Sequence, residues 1–347
     1  MGWQAVTIKK RPMEGPVAQL LPEEAALQEK AALKAVKDTL QLTPPPHHIT
    51  YCLDSFRHTD PLSGSTSTYF ITQYGLWLLY ASHCHVQMTD SGEGLASVLN
   101  VEWLCVQCNL WYRFEEGTDL DLHFERLHAA CKSPAGALKI VHAAKQCFKQ
   151  ILQGLKVLHD CGWGHMNLKP NKVQVRVAAD GIYHCTIVDM ASACMGESFP
   201  FTGIYTAYCS SPQVIEQLEQ PFGASYSLDF KSQDMWSMGC LLPCMLLNYS
   251  PFEGTTWSKS PPYPVTPPDD EIEEFSVKQM RSRHAVWARS FENGHAMPNC
   301  QKALAGMIPD KQQHKVVARL LRGLLHPDSA CRYTVDQALN DDFLYGI

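Results

Sequence analysis

The side chains with the greatest chemical reach lie in one short stretch, Gly164-His165-Met166-Asn167-Leu168-Lys169-Pro170-Asn171-Lys172. His165 is an imidazole of the type that titrates near neutrality. Asn167 is a neutral amide whose oxygen is scarcely basic near pH 7, so it can accept a hydrogen bond but cannot serve as a carboxylate base. Lys172 is a cation able to attract phosphate or to repel a metal ion. A second group follows in Val188-Asp189-Met190-Ala191, where Asp189 comes directly after the apolar residues Ile187 and Val188. A carboxylate at the end of an apolar strand is a candidate ligand for a hard cation. Far upstream, Lys9 closes the alternating run Val6-Thr7-Ile8-Lys9.

These groups need elements to position them. Ala137 to His159 places Ile140, Val141, Ala144, Phe148, Ile151, Leu152, Leu155 and Leu158 at a 3.6-residue period, which predicts an amphipathic helix just before the His165 loop. Val173 to Val177 and His184 to Asp189 read as two strands joined at Ala179-Asp180-Gly181. From Ser232 the chain is helical again, with Pro243 expected to kink the helix or end it early. Upstream, Trp3 to Lys10 and His48 to Arg57 read as strands and Glu23 to Leu42 as a helix with Leu27, Ala31 and Lys34 on one face. Residues 59–100 read as an insertion, after which strand character returns at Val101 to Phe114. Strands first and helices afterwards predict an α+β chain in two unequal lobes.

The motifs occur in a fixed order. After the His165 loop and Asp189 come Tyr208-Cys209-Ser210-Ser211-Pro212-Gln213, then Asp234-Met235-Trp236-Ser237-Met238-Gly239, then Pro327-Asp328-Ser329-Ala330-Cys331-Arg332. Taken together they resemble the eukaryotic protein kinase superfamily. Within it they resemble the serine/threonine kinase-like domain-containing protein family, which has a similarly altered catalytic loop. The resemblance implies a bilobal protein kinase-like fold, with a small lobe over 1–112, carrying the insertion at about 59–100, and a mainly helical large lobe over 113–347.

The same resemblance assigns roles, and the departures from it carry the functional expectation. Asn167 stands where the family has its catalytic Asp, and Lys172 where it has a metal-binding Asn. Asp189 matches the magnesium-binding Asp of the D-F-G motif, with Met190 and Ala191 in place of Phe and Gly. Lys9 matches the lysine that grips nucleotide phosphates, and Glu29 the helix glutamate that pairs with it. His165, Asp234, Gln213 and Arg332 fall at structural positions: Asp234 to accept bonds from the loop backbone, Arg332 to pair with the residue at Gln213, where the family has Glu. Only Met1 and Gly2 precede the strand of Lys9, so the glycine-rich phosphate lid and its strands are expected to be missing from the small lobe. ATP and Mg²⁺ are the implied cofactors, and Asn167, Lys172 and the missing lid argue against both.

A rival reading comes from Cys105-x2-Cys108 and His123-x4-His128, which fit a zinc-finger spacing loosely and would make the chain a zinc-containing binding module. Both cysteines fall on one predicted strand, where an odd separation sends them to opposite faces. Val106-Gln107 supplies no glycine for a tight turn, and two histidines five apart lie about 140° around a helix. Zinc is not expected. Of the 15 histidines, only His165 draws a role.

Composition narrows the rest. The chain has 347 residues, 45% hydrophobic and 18% charged, which supports a large core and excludes wholesale disorder. A net charge of −6 without a basic run gives no footprint for nucleic acid or an anionic membrane. The 14 scattered cysteines, with no signal peptide before them, read as reduced thiols of a cytoplasmic or nuclear protein. The expectation is a catalytically impaired kinase homologue, a pseudokinase, acting on other proteins as scaffold or allosteric partner. The alternative is a weakly active ATP-dependent serine/threonine protein kinase.

Overall fold

Two helices of opposite character organise the core of the computed structural model. It describes residues 6–12, 30–36, 38, 49, 52–59, 66–73, 86–88, 102–105, 110–113, 118–195, 206–217, 228–252, 269–295 and 301–345. In chain order the elements are strands β1 (Val6–Pro12), β2 (Cys52–Thr59), β3 (Thr66–Gln73), β4 (Val86–Met88), β5 (Glu102–Cys105), β6 (Leu110–Arg113) and β7 (Thr118–Asp119), with helix α1 at residues 30–36. There follow α2 (Leu120–Ala130), α3 (Pro134–Asp160), β8 (Trp163–Gly164), β9 (Val173–Val177), β10 (Tyr183–Ile187) and β11 (Cys194–Met195). Helices α4 (Pro212–Gln217), α5 (Phe230–Leu247), α6 (Asp269–Glu292), α7 (Gln301–Met307), α8 (Lys311–Leu324) and α9 (Val335–Leu339) complete it. The architecture is α+β, predominantly helical beyond Leu120.

Helix α3 is the amphipathic member. Its apolar stripe is buried from Ile140 to Leu158, while the opposite face carries lysines and glutamines. It begins earlier than its hydrophobic period predicts because Ser133 caps it, accepting from Gly136 N at 3.1 Å, and Pro134 supplies a helical φ in the first turn. Helix α5 is buried on every side from Ser232 to Leu246 and serves as the axial helix of the core. Pro243 does not end it; the helix runs four residues further, to Leu247, and stops at Asn248 in the left-handed region (φ 50°). Packing on all sides of α5 outweighs the amide that Pro243 cannot donate.

Strands β9 and β10 pair antiparallel, Val173 opposite Ile187, and β7 adds to β9 with Thr118 opposite Val175. This small sheet lies on α3: Gln150 donates Nε2 to Tyr183 O at 2.6 Å and accepts from Cys185 N at 2.7 Å. Strands β8 and β11 pair through Gly164 and Cys194, drawing the chain on either side of the His165 loop and of Asp189 together.

Upstream, β3 lies between β1 and β2, antiparallel to both. The segment 59–100, expected as an insertion, thus supplies the middle strand of a sheet, and also β4, which pairs with β5. In α1 the buried side chains are Ala32, Leu33 and Val36, whereas Ala31 and Lys34, which share a face, are exposed. Ala32, Leu33, Val36 and Ile49 join the same hydrophobic cluster as α3 and β10, and Ile49 bridges to Ile187.

Candidate functional site

The site is built on one buried carboxylate. Asp234, in the second turn of α5 and 0% exposed, accepts at Oδ2 from His165 N (2.7 Å) and His159 Nε2 (2.9 Å) and at Oδ1 from Met166 N (2.8 Å). Met166 takes a left-handed conformation (φ 67°), turning two successive amides toward one carboxylate. Gly164 permits the approach of α5, since a Cβ there would stand 2.6 Å from that of Phe230. His159 escapes sequence reasoning because 75 residues separate it from Asp234. Its place on the buried stripe of α3 is the only sequence signal it gives.

His165 is fully buried, and burial holds its pKa below the ordinary histidine value. Nε2–H donates to Val188 O at 3.2 Å, and Nδ1 accepts from Asn167 N at 3.4 Å. Both ring nitrogens of the neutral imidazole are therefore engaged within the fold. The ring braces the loop against the strand end that leads into Asp189.

Asn167 and Lys172 lie on the other side of the loop. The Asn167 side-chain oxygen accepts from Thr206 Oγ1 at 2.8 Å. Pro170–Lys172 forms a 3₁₀ turn closed by Lys172 N to Lys169 O at 2.8 Å. From that turn Lys172 Nζ reaches Asp189 Oδ2 at 2.5 Å, both side chains being largely buried (12% and 14% exposed). Lys172 O also accepts from Val188 N at 2.9 Å. Asp189 itself is left-handed (φ 68°, ψ 76°), and Met190 behind it is fully buried.

Two further residues belong to this cluster and were not singled out by sequence. Lys169, two positions after Asn167, has its pKa lowered first by burial and then by the charge of Lys172. Asp119 accepts from Gln174 Nε2 at 2.5 Å; burial raises its carboxyl pKa against the lowering effects of Gln174 and Lys172. The sequence could have flagged Lys169, which shares the loop, but not Asp119, which is brought in by β7 pairing with β9.

The remaining predicted residues divide. Arg332, 5% exposed, donates Nη2 to Gln213 Oε1 at 3.0 Å, Nη1 to Ser232 O and Oγ at 2.9 Å, and Nη2 to His326 O at 2.9 Å. Its guanidinium lies 5.0 Å from the centre of the Trp236 ring. Burial pushes the Arg332 pKa down to about 10. Lys9 is placed in β1, opposite Phe70 of β3. Glu29 lies outside the described residues.

A divalent ion of the magnesium type needs several oxygen ligands. Here Asp189 already bears an ammonium group, and Lys172 offers N–H donors where an oxygen is required. The donor set does not fit such an ion. Among the described residues no group of three or more His, Cys, Asp and Glu side chains is placed to hold a metal. Of the Cys–His quartet, Cys105 ends β5, whereas Cys108 falls between β5 and β6, outside the described residues. His128 Nε2 is hydrogen-bonded to Met245 O at 2.9 Å, and the His123 ring packs edge-on against Phe124 and Tyr183.

Among known proteins, residues 109–344 match the protein kinase domain family. The chain is 33% identical over 106 residues to the dual specificity protein kinase YAK1 homolog of Arabidopsis thaliana, covering 30% of this chain and 10% of that protein. It is 29% identical over 147 residues to the serine/threonine-protein kinase RAD53 of Saccharomyces cerevisiae, 41% and 17% of the respective chains. To the probable serine/threonine-protein kinase fhkA of Dictyostelium discoideum it is 26% identical over 222 residues, 58% of this chain and 32% of that one. The chain thus spans a third or less of the length of each of these relatives. Among the described residues no helix is long and apolar enough to cross a membrane.

Proposed function

Because this chain belongs to the protein kinase domain family, we propose that it is a catalytically impaired member, a pseudokinase that acts on other proteins as scaffold or allosteric partner. The reading is carried by Asn167. General-base chemistry at a substrate hydroxyl needs a proton acceptor whose basicity matches the operating pH. A neutral amide is no such acceptor, and the Asn167 oxygen is already taken by the Thr206 hydroxyl. His165, the nearest imidazole, is committed at both nitrogens and cannot substitute. The well-satisfied hub at Asp234, beside a loop without a base, supports a role in which the folded surface matters more than turnover.

The test is a phosphoryl-transfer assay on purified protein with Mg-ATP and a generic protein substrate. Transfer is expected to stay at background in wild type and in Asn167→Ala alike. Robust transfer abolished by Lys9→Ala or Asp189→Ala would overturn the reading in favour of a weakly active serine/threonine kinase.

A further inference from the structure

We infer that the Lys172 ammonium is a built-in counter-ion for Asp189, so that the cleft is indifferent to Mg²⁺ and Mn²⁺. The inference rests on the non-catalytic reading of the same cleft and deepens it: the site has exchanged a metal for a tethered charge.

Three observations carry it. The ion pair is short, 2.5 Å, and both side chains are largely buried, so the charges are compensated where water reaches them little. Lys172 is fixed at its backbone as well as at its ammonium, because its carbonyl accepts from Val188 N and its amide closes the 3₁₀ turn on Lys169 O. The lysine is thus held against the strand end that presents Asp189 rather than swinging in from solvent. Finally, a divalent ion entering here would have to displace the ammonium and then lie against it. Repulsion between cations a few ångströms apart is strong where solvent is scarce. Lys169 adds a second positive charge close enough to affect and be affected by Lys172.

The decisive measurement is a Mn²⁺ titration of the nucleotide-free protein, following free Mn²⁺ by electron paramagnetic resonance. Wild type and Asp189→Asn are expected to bind the same amount of Mn²⁺. The melting temperature of wild type should be equal in millimolar Mg²⁺ and in a potassium salt of matched ionic strength. Lys172→Asn, which removes the charge and supplies an amide oxygen beside Asp189, should melt higher in Mg²⁺ than in the potassium salt. A stoichiometric Mn²⁺ ion bound by wild type and lost in Asp189→Asn would overturn the inference. A Lys172→Asn protein no more responsive to Mg²⁺ than wild type would do the same. The wild-type melting comparison involves no substitution, so a variant that fails to fold does not remove the test. Mn²⁺ held at Asp189 in a protein without phosphoryl transfer would sink this inference and leave the non-catalytic reading standing.

Discussion

Asp234 and Asp189 are both aspartates gripped by nitrogen donors, and the grips differ in kind. Asp234 is fully buried, and two of its partners are main-chain amides of the His165 loop. Asp189 is paired with a lysine side chain, and its own backbone holds a left-handed conformation. Main-chain donors are available whatever side chains the loop carries, so the two amide bonds to Asp234 do not depend on the side chains of His165 and Met166. A side-chain partner is only as permanent as one residue identity. The cleft can therefore change its chemistry while the hub beneath it keeps the loop in place, and that is the arrangement seen here.

Substitutions can break or sharpen this contrast. Asp234→Ala leaves two buried amides and a buried histidine without their acceptor, and should destabilise the protein by ~3–5 kcal/mol in a denaturant titration. Lys172→Asn leaves the largely buried Asp189 carboxylate a neutral hydrogen-bond donor in place of the ammonium, and should cost less, about 1–2 kcal/mol. Equal costs would erase the distinction between the two regions.

A second contrast sets the acid limb of stability. His284 is buried between Trp236 and Phe252, and burial lowers its pKa from 6.5 to about 3. Between those values the unfolded chain binds the proton and the folded chain does not, so stability falls as pH drops from about 6.5 toward 3. The slope approaches ~1.4 kcal/mol per pH unit for this group alone. His284→Phe should flatten that limb when melting temperature is followed between pH 6.5 and 4, with little change at pH 8.

Arg332 offers a gain rather than a loss. Its buried guanidinium meets the neutral oxygen of Gln213. Gln213→Glu would supply a charge-assisted partner and should raise stability by ~1 kcal/mol at neutral pH, read as a shift in denaturation midpoint. The smallest effect is expected at the surface. Lys156 pairs with Asp160 and Asp336, all well exposed, and Lys156→Ala should change stability by less than ~0.5 kcal/mol.

Legibility in the sequence followed the range of the interactions. Helix α3 was readable to within three residues at its start because its signal is a period repeated along contiguous chain. The β9–β10 hairpin was readable for the same reason, with its turn residues between the strands. Pro243 misled, since the rule that it breaks a helix holds for a helix that stands alone, and α5 is enclosed on all sides. Strand β3 was hidden by the polar turn residues before it, and its place between β1 and β2 reflects pairing with distant segments. Lys9 and Glu29 were singled out by resemblance. The former is placed in β1 and the latter falls outside the described residues.

The sequence alone determined that the loop carries an amide at Asn167, a cation at Lys172 and a carboxylate at Asp189, and with these it settled which protonations and charges are available. It also determined helix α3, because backbone hydrogen bonding and apolar periodicity act over a few residues. Only the tertiary structure decided how those charges are spent. The Lys172–Asp189 pair, the Thr206 hydroxyl on Asn167 and the His159 ring on Asp234 join residues 17, 39 and 75 apart. Contacts across such separations depend on how α3, α5 and the small sheet pack, and no local pattern encodes that packing.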